Sequence, residues 1–386
     1  MIVSGFSSTG SKRPFAIYGA GYPSELPIRM LRSQGAHLWD PEGRQYLDFI
    51  MALGAVTLGY GHPAVGRAAK DAIDRGVVGS LAPVQEERLA RRLKELLPWI
   101  EGVRFFKTGA EAVAAAVRLA RAATGRDRVI GCGYHGWLDW SSSEPGVPAA
   151  VRELYAAIPF GDPEPARTRI REAGDDLAAV VVEPVVDGPP TREWLACLRS
   201  ETERVGAVLV FDEIKTGFRL AVGGAVERWG VVPDLAVYGK ALGSGFPLAA
   251  VAGPSRIMDQ VGRTWISSTL ATEFVALAAA RAALDETVGL RVPEHLGRVG
   301  ALLHQGLVRL ADRFPAVVTG VAGLPEMCYL RFRDEAIGSA VAVGAARRGL
   351  LFKRSAYNYV SLAHSERDIS SGLGLLEDAL VEAARC

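Results

Sequence analysis

Cysteine is scarce in this chain. Its four cysteines, Cys132, Cys197, Cys328 and Cys386, lie too far apart in 386 residues to suggest a metal knuckle or a dithiol. A disulfide scaffold is excluded, and a reduced cytosolic protein is expected. A surplus of charge is missing too. The 44 Lys and Arg against 43 Asp and Glu leave a net +1, with no field to hold nucleic acid or an anionic membrane. No apolar run approaches the roughly 18–20 residues of a membrane span; the longest, such as Ala207–Phe211, have the length of a strand. The N-terminus has neither a basic lead nor a long apolar run, so no secretory signal is read there. The six histidines form no metal-ligand spacing, and no catalytic metal is expected.

What remains is apolar mass, 49% of a chain long enough for two domains. Residues 36–50 read as two short strands joined at Asp40-Pro41-Glu42-Gly43. Ala64–Asp74 has helical composition. In Glu86–Leu97, leucines 89, 93, 96 and 97 share one helical face. From Val103 the pattern alternates: strands at Val103–Phe106, Arg128–Ile130, Ala178–Val182, Ala207–Phe211, Leu235–Tyr238 and Ala249–Ala252, with helices at Glu111–Thr124 and Arg192–Val205. Short, wholly apolar strands are those covered on both faces. The expected fold is therefore α/β: a large domain at 46–284 with a mostly parallel, doubly wound sheet. A smaller α+β domain follows from 285–386 and is completed by 1–45.

Three places at strand ends carry chemistry, where open α/β sheets collect ligands. Lys107-Thr108-Gly109-Ala110-Glu111 stands between a strand and a helix, where unpaired N–H groups form a phosphate cradle. Taken alone, it reads first as an ordinary N-cap by Thr108. Asp212-Glu213 ends an apolar strand, and two carboxylates there need a cationic partner. No Gly-x-x-x-x-Gly-Lys-Ser/Thr loop accompanies them, which argues against a nucleotide triphosphatase. Lys240, 28 residues after Asp212, sits among Val, Tyr, Gly, Ala and Leu. Burial would lower its pKa and free a nucleophilic amine, whereas a lone lysine there reads as a snorkelling side chain. Together, an amine, an anion and a phosphate cradle are what pyridoxal 5'-phosphate requires. Gly19-Ala20-Gly21 opens like a dinucleotide fingerprint, but its third glycine is missing and Pro23 blocks an immediate helix.

The strings around these residues resemble the class III, fold type I pyridoxal-phosphate aminotransferases, in the branch of glutamate-1-semialdehyde aminomutase. They run in order from Gly35 to Ile369: Trp39–Gly43, Leu58–Pro63, Phe106–Ala112, Ala120–Val129, Tyr134–Gly136, Val182–Val185, Val210–Arg219, Pro233–Gly243, Ser268–Leu270 and Val360–Ser365. The resemblance implies that Lys240 holds the cofactor as an internal aldimine and then moves the proton. Asp212 would pair with the pyridinium nitrogen, with Ile214 on one ring face and Tyr134 on the other. Thr108, Gly109 and Ala110 would hold the phosphate, with Thr269 reaching it from the neighbouring subunit of a homodimer. Glu183 would be a carboxylate near ring and substrate. His135 is either a site residue or packing behind one.

The chain also departs from the family. Thr108-Gly109-Ala110 replaces Ser-Gly-Thr, the usual Gly-Asn-Pro is missing after Thr269, and Asn358 stands near an expected acid. No Ser-Pro-Val-Arg-like segment is present, and none of Arg13, Arg29 and Arg32 lies in such a motif. The expected activity is transfer of an amino group from an amino donor to a keto or aldehyde acceptor through pyridoxamine phosphate. The acceptor would be a sugar-like or secondary-metabolite carbonyl. An intramolecular aminomutase is the alternative, and a racemase or decarboxylase shares the same kit.

Overall fold

In the computed structural model, which describes residues 2–385, the chain divides into two compact units. One is Pro63–Pro293; the other joins the residues up to His62 to those from Glu294 onward. These limits lie later than the 45/46 and 284/285 boundaries expected from the sequence. The strand Gln45–Asp48 pairs with His37–Trp39 and with Leu350–Leu351, which keeps 46–62 in the discontinuous unit. The helix Phe274–Gly289 runs unbroken past 284. Cys386 lies outside the described residues; Cys132, Cys197 and Cys328 are buried free thiols. Among the described residues no helix is long and apolar enough to cross a membrane.

The Pro63–Pro293 unit is built on seven strands: β1 (Gly102–Phe106), β2 (Arg128–Cys132), β3 (Tyr155–Ala157), β4 (Leu177–Val182), β5 (Val208–Asp212), β6 (Leu235–Tyr238) and β7 (Ala249–Gly253). Their order is β1-β7-β6-β5-β4-β2-β3. Pairs from β3 to β6 are parallel, whereas β7 runs antiparallel to both β6 and β1. The strands are apolar because they are covered twice. Val180, Val182, Leu209, Phe211, Ala236 and Tyr238 pack into one cluster with Leu89, Ile170, Trp194 and Leu277. Their neighbours Ala179, Val181, Val208, Val210, Leu235 and Val237 pack into another with Ala112–Ala120 of the helix α1 (Gly109–Thr124). Alternate residues thus meet opposite helix layers, as the period-two pleat requires.

The other unit holds a four-stranded sheet, Arg32–Gln34, His37–Trp39, Gln45–Asp48 and Leu350–Leu351, in which the N-terminal segment pairs with the C-terminal one. Its Asp40–Gly43 turn is closed by Gly43 N donating to Asp40 O at 3.0 Å and by Arg44 N donating to Asp40 Oδ1 at 2.8 Å. A second sheet joins Val318–Leu324, Met327–Phe332 and Asn358–Tyr359.

Candidate functional site

The parallel strands deliver side chains at their C-terminal ends. Asp212 is the last residue of β5 and is buried. Its Oδ2 lies 2.8 Å from His135 Nδ1, and its Oδ1 accepts from Ile214 N at 3.2 Å. A carboxylate partner places the imidazole proton on Nδ1 by hydrogen-bond logic. His135 is buried against the Trp140 ring, at 5.7 Å between centroids and 26° between planes. His135 thus packs on Trp140 while it holds Asp212.

Glu213 does something different from its neighbour. Its carboxylate is bonded to Thr216 and accepts from Ala225 N at 2.7 Å and Val226 N at 3.2 Å, capping the short helix α2 (Gly224–Trp229). Burial, with the Asp212 charge beside it, pushes the Glu213 carboxyl up to about 7. Of the adjacent acids, only Asp212 is held by the histidine.

Lys240 follows β6 and opens a turn of 3-10 helix, Lys240–Leu242. Its backbone φ is +43°, a left-handed value that costs a non-glycine residue of order 1–3 kcal/mol. Gly243 N and Ser244 N both donate to Lys240 O at 3.1 Å and hold it there. Burial pushes the Lys240 ammonium down to about 8; the Lys215 and Arg219 charges add to the lowering, while Glu183 and Asp212 oppose it. Glu183, just past β4, is buried. Its N–H donates to Cys132 O at 2.9 Å, its Oε1 accepts from Tyr134 N at 2.6 Å, and its other oxygen is paired with Lys215. Lys215 and Arg219 went unread in the sequence. The available signal was that both lie within seven residues of Asp212, on either side of Thr216-Gly217.

At the head of α1 the ordinary N-cap and the cradle coexist. Thr108 Oγ1 accepts from Glu111 N at 3.2 Å, and Glu111 Oε2 accepts from Thr108 N at 2.9 Å, a reciprocal capping box. The N–H groups of Gly109 and Ala110 belong to the first turn, which has no intrahelical acceptors. Crowding keeps the region glycine-rich. A Cβ on Gly109 would lie 2.5 Å from Ile214 Cδ1, and one on Gly136 would lie 2.6 Å from Ala110 Cβ. Because Gly136 also has φ +98°, Gly136→Ala is expected to displace Ala110. Retention of an anion at this turn should weaken on the order of tenfold, the lower end of a 1–3 kcal/mol strain. Equilibrium dialysis of the variant against phosphorylated cofactor measures this.

Two expected residues stand apart. The Tyr134 side chain is 72% exposed, although its N–H holds Glu183. Thr269, itself exposed at the start of the 3-10 turn Thr269–Thr272, has no hydrogen bond to the others among the described residues. In the other unit, Arg29 stacks on Phe6 and donates to Phe6 O at 3.1 Å, and Arg32 stacks on Trp39.

Residues 18–380 match the family model described as aminotransferase class-III. Among curated proteins, the glutamate-1-semialdehyde 2,1-aminomutase of Thermomicrobium roseum is 35% identical, over 94% of this chain and 92% of its own length. That of Pyrobaculum calidifontis is 34% identical, over 93% and 89%. Among solved structures, the FumI protein of a Sphingopyxis species in its pyridoxal-phosphate form superposes with a TM-score of 0.91 at 25% identity, covering 97% of this chain and 92% of that one. An omega-transaminase from Sphaerobacter thermophilus gives 0.85 at 26%, covering 96% and 93%. The residues fit the group bound in FumI: an amine with lowered pKa, a buried carboxylate fixed by two N–H donors, and a helix N-terminus with free amides.

Proposed function

The chain belongs to the class-III aminotransferases and uses pyridoxal phosphate, and from that premise we propose that it moves an amino group between two molecules, from an amino donor to a keto or aldehyde acceptor. The observation that carries this reading is Lys240, whose buried amine lies in the field of Asp212 and Glu183. When bound, pyridoxal phosphate supplies an aldehyde that condenses with amines and a ring that accepts electron density.

The chain's own residues then have distinct tasks. Lys240 would offer its amine as the attachment point and would hold and move the proton at its Nζ. Asp212 would pair with the ring nitrogen, and His135 holds that carboxylate in place through Oδ2. Ile214 would pack against one ring face and Tyr134 would cover the other. Gly109 and Ala110 present N–H groups to the phosphate, beside Thr108. Glu183 keeps a fixed negative charge near the substrate. Thr269 reaches the phosphate of a second copy of this chain. Exposed Val77, Val78, Leu81 and Leu270 support such a homodimer, as apolar side chains that a partner would cover.

The names of the curated relatives favour a second reading, an aminomutase that exchanges amine and carbonyl within one molecule. Arg29 and Arg32 argue for transfer between molecules, because both guanidinium groups are already stacked on aromatic rings. The acceptor we favour is a sugar-like or secondary-metabolite carbonyl without a carboxylate that needs such a grip. A screen of amino donors against the purified enzyme, followed by absorbance, tests the reading: a productive donor converts the cofactor to pyridoxamine phosphate. If no donor does so while a single substrate yields an isomer, the mutase reading replaces it.

A further inference from the structure

Lys215 lies in the turn after β5, three residues beyond Asp212, and its side chain is mostly buried. The turn is pinned on both sides: Ile214 N donates to Asp212 Oδ1 at 3.2 Å, and Gly217 N donates to Glu213 O at 2.8 Å. The Lys215 ammonium is paired with Glu183. That carboxylate accepts in turn from Tyr134 N at 2.6 Å, and the Glu183 backbone N–H donates to Cys132 O at 2.9 Å. A surface lysine has no such fixture. Two ammonium groups sharing a poorly solvated space disfavour each other, and the better anchored one keeps its charge.

We propose that Lys215 is a positioning residue of this site: its ammonium, locked against Glu183, occupies that carboxylate and withholds it from the Lys240 amine as a counter-ion. The proposal rests on the reading of Lys240 as the attachment point. Four charged groups bear on that amine. Lys215 and Arg219 oppose its protonation, Glu183 and Asp212 favour it, and burial adds to the first pair. His135 acts on it through Asp212. Losing Lys215 removes a repelling charge and also leaves Glu183 free to serve as counter-ion to Lys240. Both changes favour the charged amine.

The step this controls is simple. The Lys240 Nζ lone pair forms a bond to the aldehyde carbon, and the carbonyl oxygen departs as water with the two amine hydrogens. Borohydride then adds hydride to that carbon and a solvent proton goes to nitrogen, leaving a permanent pyridoxyl mass on Lys240. Full-length apoenzyme mixed with pyridoxal phosphate, quenched with borohydride and mapped by mass spectrometry gives the capture rate as a function of pH.

In the wild type the rate should rise with pH around a midpoint near 8. In Lys215→Met the midpoint should move up by about one pH unit, so that capture at pH 7 slows about tenfold. Lys215→Arg should restore the wild-type midpoint. The double variant Lys215→Met/Glu183→Gln should return most of the way, because the unpaired carboxylate is gone; a purely structural role for Lys215 predicts no such return. An unmoved midpoint in Lys215→Met, or a double variant no better than the single one, overturns the inference. A wild-type chain that never acquires the mass at Lys240 overturns instead the reading on which it rests.

Discussion

Lys240→Ala is expected to lower kcat by about four orders of magnitude, the upper range for removal of a general acid–base group, with the lost attachment point adding to it. The expectation follows from where the amine sits. With its ammonium down at about 8, about a tenth of the molecules hold a free amine at pH 7, against fewer than about one in a thousand for an ordinary lysine. No neighbouring side chain substitutes for it, since Lys215 is committed to Glu183. Turnover with the best donor and intact mass after borohydride check the prediction together. The variant should bind pyridoxal phosphate without covalent gain in mass. Retention of both activity and the added mass would show that another amine does this work.

Asp212→Asn carries the second large effect. The substitution preserves shape and leaves an amide where His135 Nδ1 and Ile214 N now meet a carboxylate, but it removes the charge. A unit charge at about 4 Å from a ring nitrogen is worth roughly 4 kcal/mol at an effective dielectric near 20, or about three pK units. Turnover should therefore fall on the order of a thousandfold, with little loss of thermal stability. The absorbance titration of bound cofactor should show its ring nitrogen deprotonating near neutrality. An Asn variant within about tenfold of wild type would assign the ion pair to another group.

How much of this could be read from the sequence depended on the range of the interactions involved. The helix Arg192–Val205 was legible to the residue, because Thr191 caps it, Gly206 ends it, and its apolar face repeats at helical spacing. The doubly covered strands were legible for the same local reason. The short edge strand Tyr155–Ala157 was not, since two half-buried residues and an exposed one leave no period to recognise. Nor was the helix Pro163–Ala173 read, where two early prolines mask a helix start.

The site itself divided along the same line. Lys240, Asp212 and the α1 turn announce themselves by standing at strand ends. The His135–Asp212 and Lys215–Glu183 pairs join segments far apart in sequence, and no local pattern carries that information. Adjacent acids were also indistinguishable by type. Only the structure separates Asp212, bonded to a histidine, from Glu213, spent on a helix cap.

The antiparallel strand β7 has a consequence for biosynthesis. It hydrogen-bonds on one side to β6, which leads into Lys240, and on the other to β1, which leads into the cradle turn. During translation, residues 107–110 emerge long before their place in the sheet exists. The strand Gly102–Phe106 that leads into them stays unpaired until Ala249–Gly253 leaves the ribosome and pairs backward across nearly 150 residues of nascent chain. Until that closure the polypeptide exposes unpaired strand edges to chaperones, and a truncation before Ala249 would leave β1 without its partner strand.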